Sequence, residues 1–256
     1  WIAAVGNALG CRQVNRRIEM RITRSEFSQR VIAEGGVDSS RQVTETLLPP
    51  GNWARHDDLE ATPFDPSAAR LLLDEAGLTD PDGGGPEPRL RLTYKTSTDE
   101  TAVLQAQILQ SMWRAVGVEV EIRSYEFATF YADIKRGNFQ LFSLTWTGIA
   151  DPDIYMLILH SQRTPPAGSN RGHYANPRFD SLVEQGARLA DRALRRPLYV
   201  EAQRIVAHDL PYLSLFTKVN VAVLPAGLAG YRHYPSGELY SLRDMHWEGH
   251  ERIPPR

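Results

Sequence analysis

The side chains best equipped for chemistry gather in one stretch, residues 146–176, which holds Trp146, Thr147, Gly148, Asp151, Asp153, Tyr155, His160, Asn170, Arg171, His173 and Tyr174. Asp151, Asp153, His160 and His173 carry donor atoms for a divalent cation. No two of them stand at an established ligand spacing such as HExxH, so solvated loop residues are the plainer reading. General acid and base work by Asp151 and Asp153 would need the two carboxylates in different environments. In an Asp-Pro-Asp run, turn and cap roles are commoner: the first residue precedes proline, and the second can cap a helix starting at Ile154. Nucleophilic catalysis has no support, since there is no GxSxG and Cys11 has no adjacent His. Gly83, Gly84 and Gly85 lack the Lys and Ser/Thr of a phosphate loop.

Non-catalytic binding fits these residues best. Trp146 offers an aromatic wall, or else a core side chain, and Thr147 and Gly148 allow a close backbone approach. Arg171 beside Asn170 can pair bidentately with a carboxylate, or form a local salt bridge.

The elements around this stretch follow from periodicity. Asp65-Pro66 reads as an N-cap and first helical residue, with Ala69, Leu72, Leu73 and Ala76 on one face and Gly77 as the stop. Residues 80–88 (DPDGGGPEP) form a loop. Residues 89–94 alternate as a strand, and Ser97-x-x-Glu100 reads as a capping box before a helix carrying Leu109, Met112, Trp113 and Val116. Residues 118–122 alternate again, which makes a βαβ unit with a right-handed crossover. A helix with Phe127, Phe130, Tyr131 and Ile134 then precedes a buried strand at 139–146. A short helix is expected at 154–160, another after Asn176-Pro177, and a third over 195–208 that begins or kinks at Pro197. Residues 212–216 and 219–224 read as late strands, and residues 19–33 as an irregular helix. Ligands of such α/β sheets bind where parallel strands end, which is where Trp146 falls.

Composition narrows the partners. The 256 residues carry 29 basic and 31 acidic side chains, a formal charge of −2, so no basic footprint for nucleic acid is present. With 42% hydrophobic residues the chain can build one or two cores rather than remain disordered. The longest nearly apolar run, 219–230, is interrupted by Asn220 and Pro225, well short of the roughly 20 residues of a membrane helix. One cysteine excludes an internal disulfide framework. The first eleven residues, WIAAVGNALGC, end like a lipoprotein signal before its lipidated Cys, yet lack a basic start and contain Asn7. A truncation at an arbitrary point is the plainer reading.

Five segments in order resemble the family 5 extracellular solute-binding proteins of ABC importers, which include dipeptide-, oligopeptide- and nickel-binding proteins. They are DPSAARLLLDEAG (65–77), AVLQAQILQSMWRAVGVEVEI (102–122), FQLFSLTWTGIADPDIY (139–155), NRGHYANPRFDSLVE (170–184) and LYVEAQRIVAHDLPYLSLF (198–216). The resemblance implies an α/β lobe of the type II periplasmic-binding fold, its mainly parallel sheet flanked by helices, plus partial segments of the other lobe. It divides the chain into a remnant of the first lobe with the hinge crossing (1–61), the second lobe (62–210), and return strands with a tail (211–256). It implies a non-enzymatic protein without cofactor. Such a protein takes a short peptide or similar small solute in an interlobe cleft and passes it to a membrane ABC permease, in the periplasm or outside the cell, free or lipid-anchored.

Trp146, Thr147, Gly148 and Asp151 would line that cleft, with Asn170, Arg171 and Tyr174 on the ligand or the opposite lobe. Two departures stand out. Most of the first lobe is absent, and VNRRIEMRITR (14–24) and LLPPGNWA (47–54) look like its tail, with Arg21 and Thr23 replacing the usual Ala and Asp. Many peptide binders also place an Asp three positions after the strand-end Trp to meet the peptide amine, and that position is Ile149 here. A metal or nickel-chelate binder, a metal-dependent hydrolase using His160 or His173, and a ligand-silent remnant remain alternatives.

Overall fold

Alternating side chains at residues 90–94 and 118–120 set up the centre of the fold. The computed structural model describes residues 2–5, 41–59, 64–218, 222–234 and 237–249. Cys11, the helix expected at 19–33 and the segment 14–24 lie outside these residues. In chain order the strands are β1 (Ile2–Val5), β2 (Arg41–Val43), β3 (Leu90–Ser97), β4 (Val118–Tyr125), β5 (Leu141–Leu144), β6 (Leu213–Ser214), β7 (Phe216–Lys218), β8 (Leu228–Ala229) and β9 (His246–Trp247). The helices are α1 (Pro66–Glu75), α2 (Glu100–Arg114), α3 (Phe127–Lys135), α4 (Ile154–Leu159), α5 (Pro177–Arg188) and α6 (Arg192–Asp209).

The main sheet runs β4-β3-β5-β1-β6. β3 pairs in parallel with β4 from Leu90↔Val118 to Ser97↔Tyr125, and with β5 at Tyr94↔Leu141 and Lys95↔Phe142. β1 is antiparallel to both β5 and β6. The parallel half is therefore β4-β3-β5, and Ile2–Val5, from the far N-terminal end of the sequence, completes the sheet with β6.

Both faces of the sheet are covered. On one, Leu92, Tyr94, Val118, Val120 and Leu141 pack with Ala69 and Leu73 of α1 and Ala106, Leu109 and Trp113 of α2. On the other, Phe142 joins Phe130 and Ile134 of α3, Tyr155 and Ile158 of α4, Phe179 and Val183 of α5, and Tyr199 and Ala202 of α6. Leu141 and Phe142 are chain neighbours on opposite faces, as strand pleating requires.

Several termini follow from local chemistry. Asp65 accepts from the Ala68 amide at 2.9 Å to cap α1. Gly77, at φ +79°, lets the Leu78 amide return to the Leu73 carbonyl. The α2 cap is Asp99, whose Oδ1 accepts from the Ala102 amide at 2.9 Å, and not Ser97. Ser97 is still paired in β3 opposite Tyr125, so the helix can begin only after the strand has ended. The strand expected at 139–146 is confined to Leu141–Leu144.

α6 begins at Arg192, five residues before Pro197, because Asp191 caps it through the Ala193 amide at 2.8 Å. It ends at Leu210 in the left-handed region, φ 54°. Of the strand expected at 219–224, residues 219–221 lie outside the described set and 222–224 are in no strand. Among the described residues no helix is long and apolar enough to cross a membrane.

α5 and α6 touch at a glycine. A Cβ on Gly186 would lie 2.7 Å from Cε2 of Tyr199, a fully buried side chain, and the Gly186 carbonyl also accepts from Arg195 Nε at 3.0 Å. Gly186→Ala is therefore expected to cost about 1–3 kcal/mol by overpacking, seen as a fall of several degrees in Tm. An unchanged melt would mean that the tyrosine ring moves aside freely.

Candidate functional site

Parallel pairing puts the C-terminal ends of β3, β4 and β5 on one edge of the sheet. Residues leaving β5 at this edge are half-buried Trp146 and exposed Thr147 and Gly148. Gly148 has φ +69° with no atom within 4 Å of an added Cβ, so it is the backbone conformation and not space that calls for glycine there.

Arg171 comes to the same place from the loop between α4 and α5. Its guanidinium carbon lies 5.3 Å from the ring centroids of both Trp146 and Tyr131. Nη2 donates to the Tyr131 hydroxyl at 3.2 Å, while Nε is buried without a hydrogen-bond partner among the described residues. Tyr131 is stacked on exposed Phe127, centroids 5.9 Å apart and 7° from parallel. The strand end thus carries a row of Trp146, Arg171, Tyr131 and Phe127. Of the residues singled out in the sequence, the fold brings Trp146 and Arg171 into contact. Tyr131 was legible only as a helix residue on an apolar face.

Asn170 and Tyr174, expected on the ligand or the opposite lobe, are both buried and hydrogen-bonded within the protein. Asn170 is fully buried, its Nδ2 donating to the carbonyls of His160 at 3.1 Å and Tyr174 at 2.8 Å, its Oδ1 accepting from the Tyr174 amide at 2.9 Å. The side chain closes the loop on itself and leaves nothing to offer a solute. The Tyr174 hydroxyl donates to Asp209 Oδ2 at 2.6 Å, and Asn176 Nδ2 to the same oxygen at 2.8 Å. Together they place the loop carrying Arg171.

Asp151 is held by Arg195 of α6, Nη2 to Oδ1 at 2.7 Å and Nη1 to Oδ2 at 3.1 Å. It also accepts from the Asp153 amide at 3.0 Å, the turn role read from the sequence. Asp153 precedes α4 but makes no side-chain cap bond, contrary to the expectation. Its carboxylate instead accepts from Arg195 Nη2 at 2.9 Å and from the Tyr199 hydroxyl, because a buried guanidinium is a stronger donor than a helix-end amide. Donation to the Asp151 carboxylate pushes Arg195's pKa further up against its burial. The ring of Trp53 lies 5.1 Å from the Arg195 guanidinium. Arg195, Trp53 and Tyr199 carried no sequence signal beyond residue type, since their partners are far away in the chain.

His160 has both ring nitrogens engaged, Nε2 with Glu184 Oε1 at 3.0 Å and Nδ1 accepting from the Gln162 amide at 3.1 Å. Among the described residues no three His, Cys, Asp or Glu are grouped to hold a metal ion.

Asp209 gives this loop a pH dependence. Burial pushes its pKa up, but hydrogen bonds from Tyr174, His208 and Asn176 outweigh that and leave it below the usual carboxylate value. A depressed folded pKa contributes stability that is present above the unfolded value, about 3.9, and lost as pH falls through the folded one. Asp209→Asn is expected to lower Tm at neutral pH and to flatten the acid limb of Tm against pH below about 4. Parallel acid limbs for the variant and the parent would count against this role.

A family model, that of the bacterial extracellular solute-binding proteins, family 5 Middle, matches residues 29–166, more than half of the chain. The chain is 26% identical over 225 residues to a dipeptide-binding protein of Pseudomonas aeruginosa, covering 87% of this chain and 40% of that one. It is 27% identical over 210 residues to heme-binding protein A of Haemophilus influenzae, covering 82% and 38%. The fold superposes on the oligopeptide-binding protein AppA of Bacillus subtilis, solved in complex with a nonapeptide, with a TM-score of 0.81 at 21% identity. That match covers 96% of this chain and 50% of AppA, so the chain spans half or less of these relatives.

Proposed function

Since this chain belongs to the bacterial extracellular solute-binding proteins of family 5, we propose that it serves in capturing a short peptide or similar small solute outside the cytoplasm for delivery to an ABC permease. The observation carrying this reading is the row of Trp146, Arg171 and Tyr131 at the C-terminal edge of the parallel strands. Parallel α/β sheets bind ligands at that edge. The arrangement suits holding rather than transforming a solute: it offers aromatic faces, a guanidinium and the exposed backbone of Thr147 and Gly148.

In this reading residues 62–210 are the second lobe, its sheet completed by β1 and β6, and residues 1–61 and 211–256 are assigned by sequence to the first-lobe remnant with the hinge crossing and to the return strands with the tail. Trp146, Thr147, Gly148 and Arg171 face the solute, while Asp151, Asn170 and Tyr174 fix the loops behind them. Backbone hydrogen bonds to an extended peptide would tolerate varied side chains. Closure of a second lobe over the solute would be a population shift toward the bound state.

A thermal melt with and without an equimolar pool of di- to pentapeptides tests the reading. A ligand at a hundredfold excess over its Kd adds about 2.7 kcal/mol to the native state, which raises Tm by about 5–10 °C for a domain of this size. Trp146→Ala is expected to remove most of that shift. A cooperative melt that no peptide moves would overturn peptide capture by this chain.

A further inference from the structure

Three cations are buried among the described residues, Lys95, Arg171 and Arg195. Two are neutralised inside the protein. Lys95 Nζ lies 2.6 Å from Asp133 Oδ2, and Arg195 lies between Asp151 and Asp153 at 2.7 and 2.9 Å. Arg171, 6% exposed, has no carboxylate partner among the described residues. A guanidinium carries five N–H donors, and among the described residues this one makes a single side-chain hydrogen bond, to the Tyr131 phenol, with Nε buried and unpartnered by them. Burying an unpaired charge is costly, and contacts with the Trp146 and Tyr131 rings offset only part of that cost. The charge stands where the parallel strands end, on the half-buried tryptophan that flanks the open loop of Thr147 and Gly148.

The two acidic residues of that loop are in the opposite condition. Asp151 and Asp153 are both taken by Arg195, with Asp151 held through two hydrogen bonds. Both carboxylates are charge-compensated by that guanidinium, which weakens their pull on a cationic group of a solute. The uncompensated charge at the strand end is positive.

We infer that Arg171 is the receptor for a carboxylate on the solute, and that the site selects its solute by that negative charge and does not require an α-ammonium group. This rests on the solute-capture reading and makes it specific: the preferred solutes are carboxylates, whether or not they carry a free amine. Guanidinium and carboxylate match in planar, bidentate geometry, so lysine at this position is a poor substitute.

The test uses the chain as it stands and three versions of one pool of di- to pentapeptides free of Asp and Glu: free acids, C-terminal amides and N-acetyl derivatives. Binding is read by thermal shift and calorimetry. Acids and N-acetyl peptides are expected to bind within a few-fold of each other. Amides are expected to bind about 10- to 100-fold more weakly, the range for losing a charge-assisted hydrogen bond. Arg171→Gln should abolish the preference for acid over amide, and Arg171→Lys should restore only part of it. If Arg171→Gln does not fold, the pool comparison on the parent chain still decides. Equal binding of acids and amides overturns the role of Arg171 and leaves solute capture standing. A larger loss on acetylation than on amidation overturns the charge selection. No binding from any pool overturns both readings.

Discussion

Gln203, a fully buried amide in the middle of α6, ties that helix to residues 46–56, remote in sequence. Its Oε1 accepts from Thr46 Oγ1 at 2.8 Å and from the His56 amide at 3.2 Å, and its Nε2 donates to the carbonyls of Ala54 at 2.8 Å and Tyr199 at 2.9 Å. Thr46 Oγ1 lies 2.8 Å from the Tyr155 hydroxyl, which burial pushes up to a pKa of about 12 and so keeps protonated. An amide left unsatisfied in such a place costs about 1–3 kcal/mol, so the set stands or falls together. Pinning residues 46–56 to α6 puts Trp53 over Arg195, and Arg195 in turn holds Asp151 and Asp153. The loop leaving β5 is therefore positioned by Arg195 through Asp151 and Asp153.

That arrangement separates two arginines of the same chemistry into two functions. Arg195 is charge-compensated: two carboxylates and the Gly186 carbonyl accept four hydrogen bonds from it, and it acts as a structural cation at the junction of α4, α5 and α6. Arg171 is held by rings and one phenol at the strand edge, with its charge uncompensated by the described residues. A binding protein gains from this division. The residues that define the loop are rigid because their polar groups are mutually satisfied, and the one group left under-satisfied is the one a ligand can improve.

Asn170 and Arg171 make the point at the level of neighbours. Both were candidates from residue type, adjacent in a polar irregular segment. One turns inward and closes residues 159–174 through carbonyls that no sequence pattern could nominate. The other turns toward β5 and α3. Which of two adjacent polar residues faces a site is set by loop geometry, and loop geometry here is set by Asn170 itself together with Asp209 at the end of α6.

The sequence by itself determined what depends on local chemistry: the cap at Asp65 and the stop at Gly77, the alternating strands at 90–94 and 118–122, the cap at Asn176, and hence an α/β sheet with Trp146 just beyond a strand end. It misplaced the start of α2 and of α6, where a strand running on to Ser97 and an aspartate ahead of Pro197 competed with the local pattern. The placement of Ile2–Val5 beside β5, the capture of Asp151 by Arg195 and the contact of Arg171 with Tyr131 were decided by tertiary structure alone. Each joins residues dozens of positions or more apart, and residue spacing carries no information about partners that only the closed fold brings within reach.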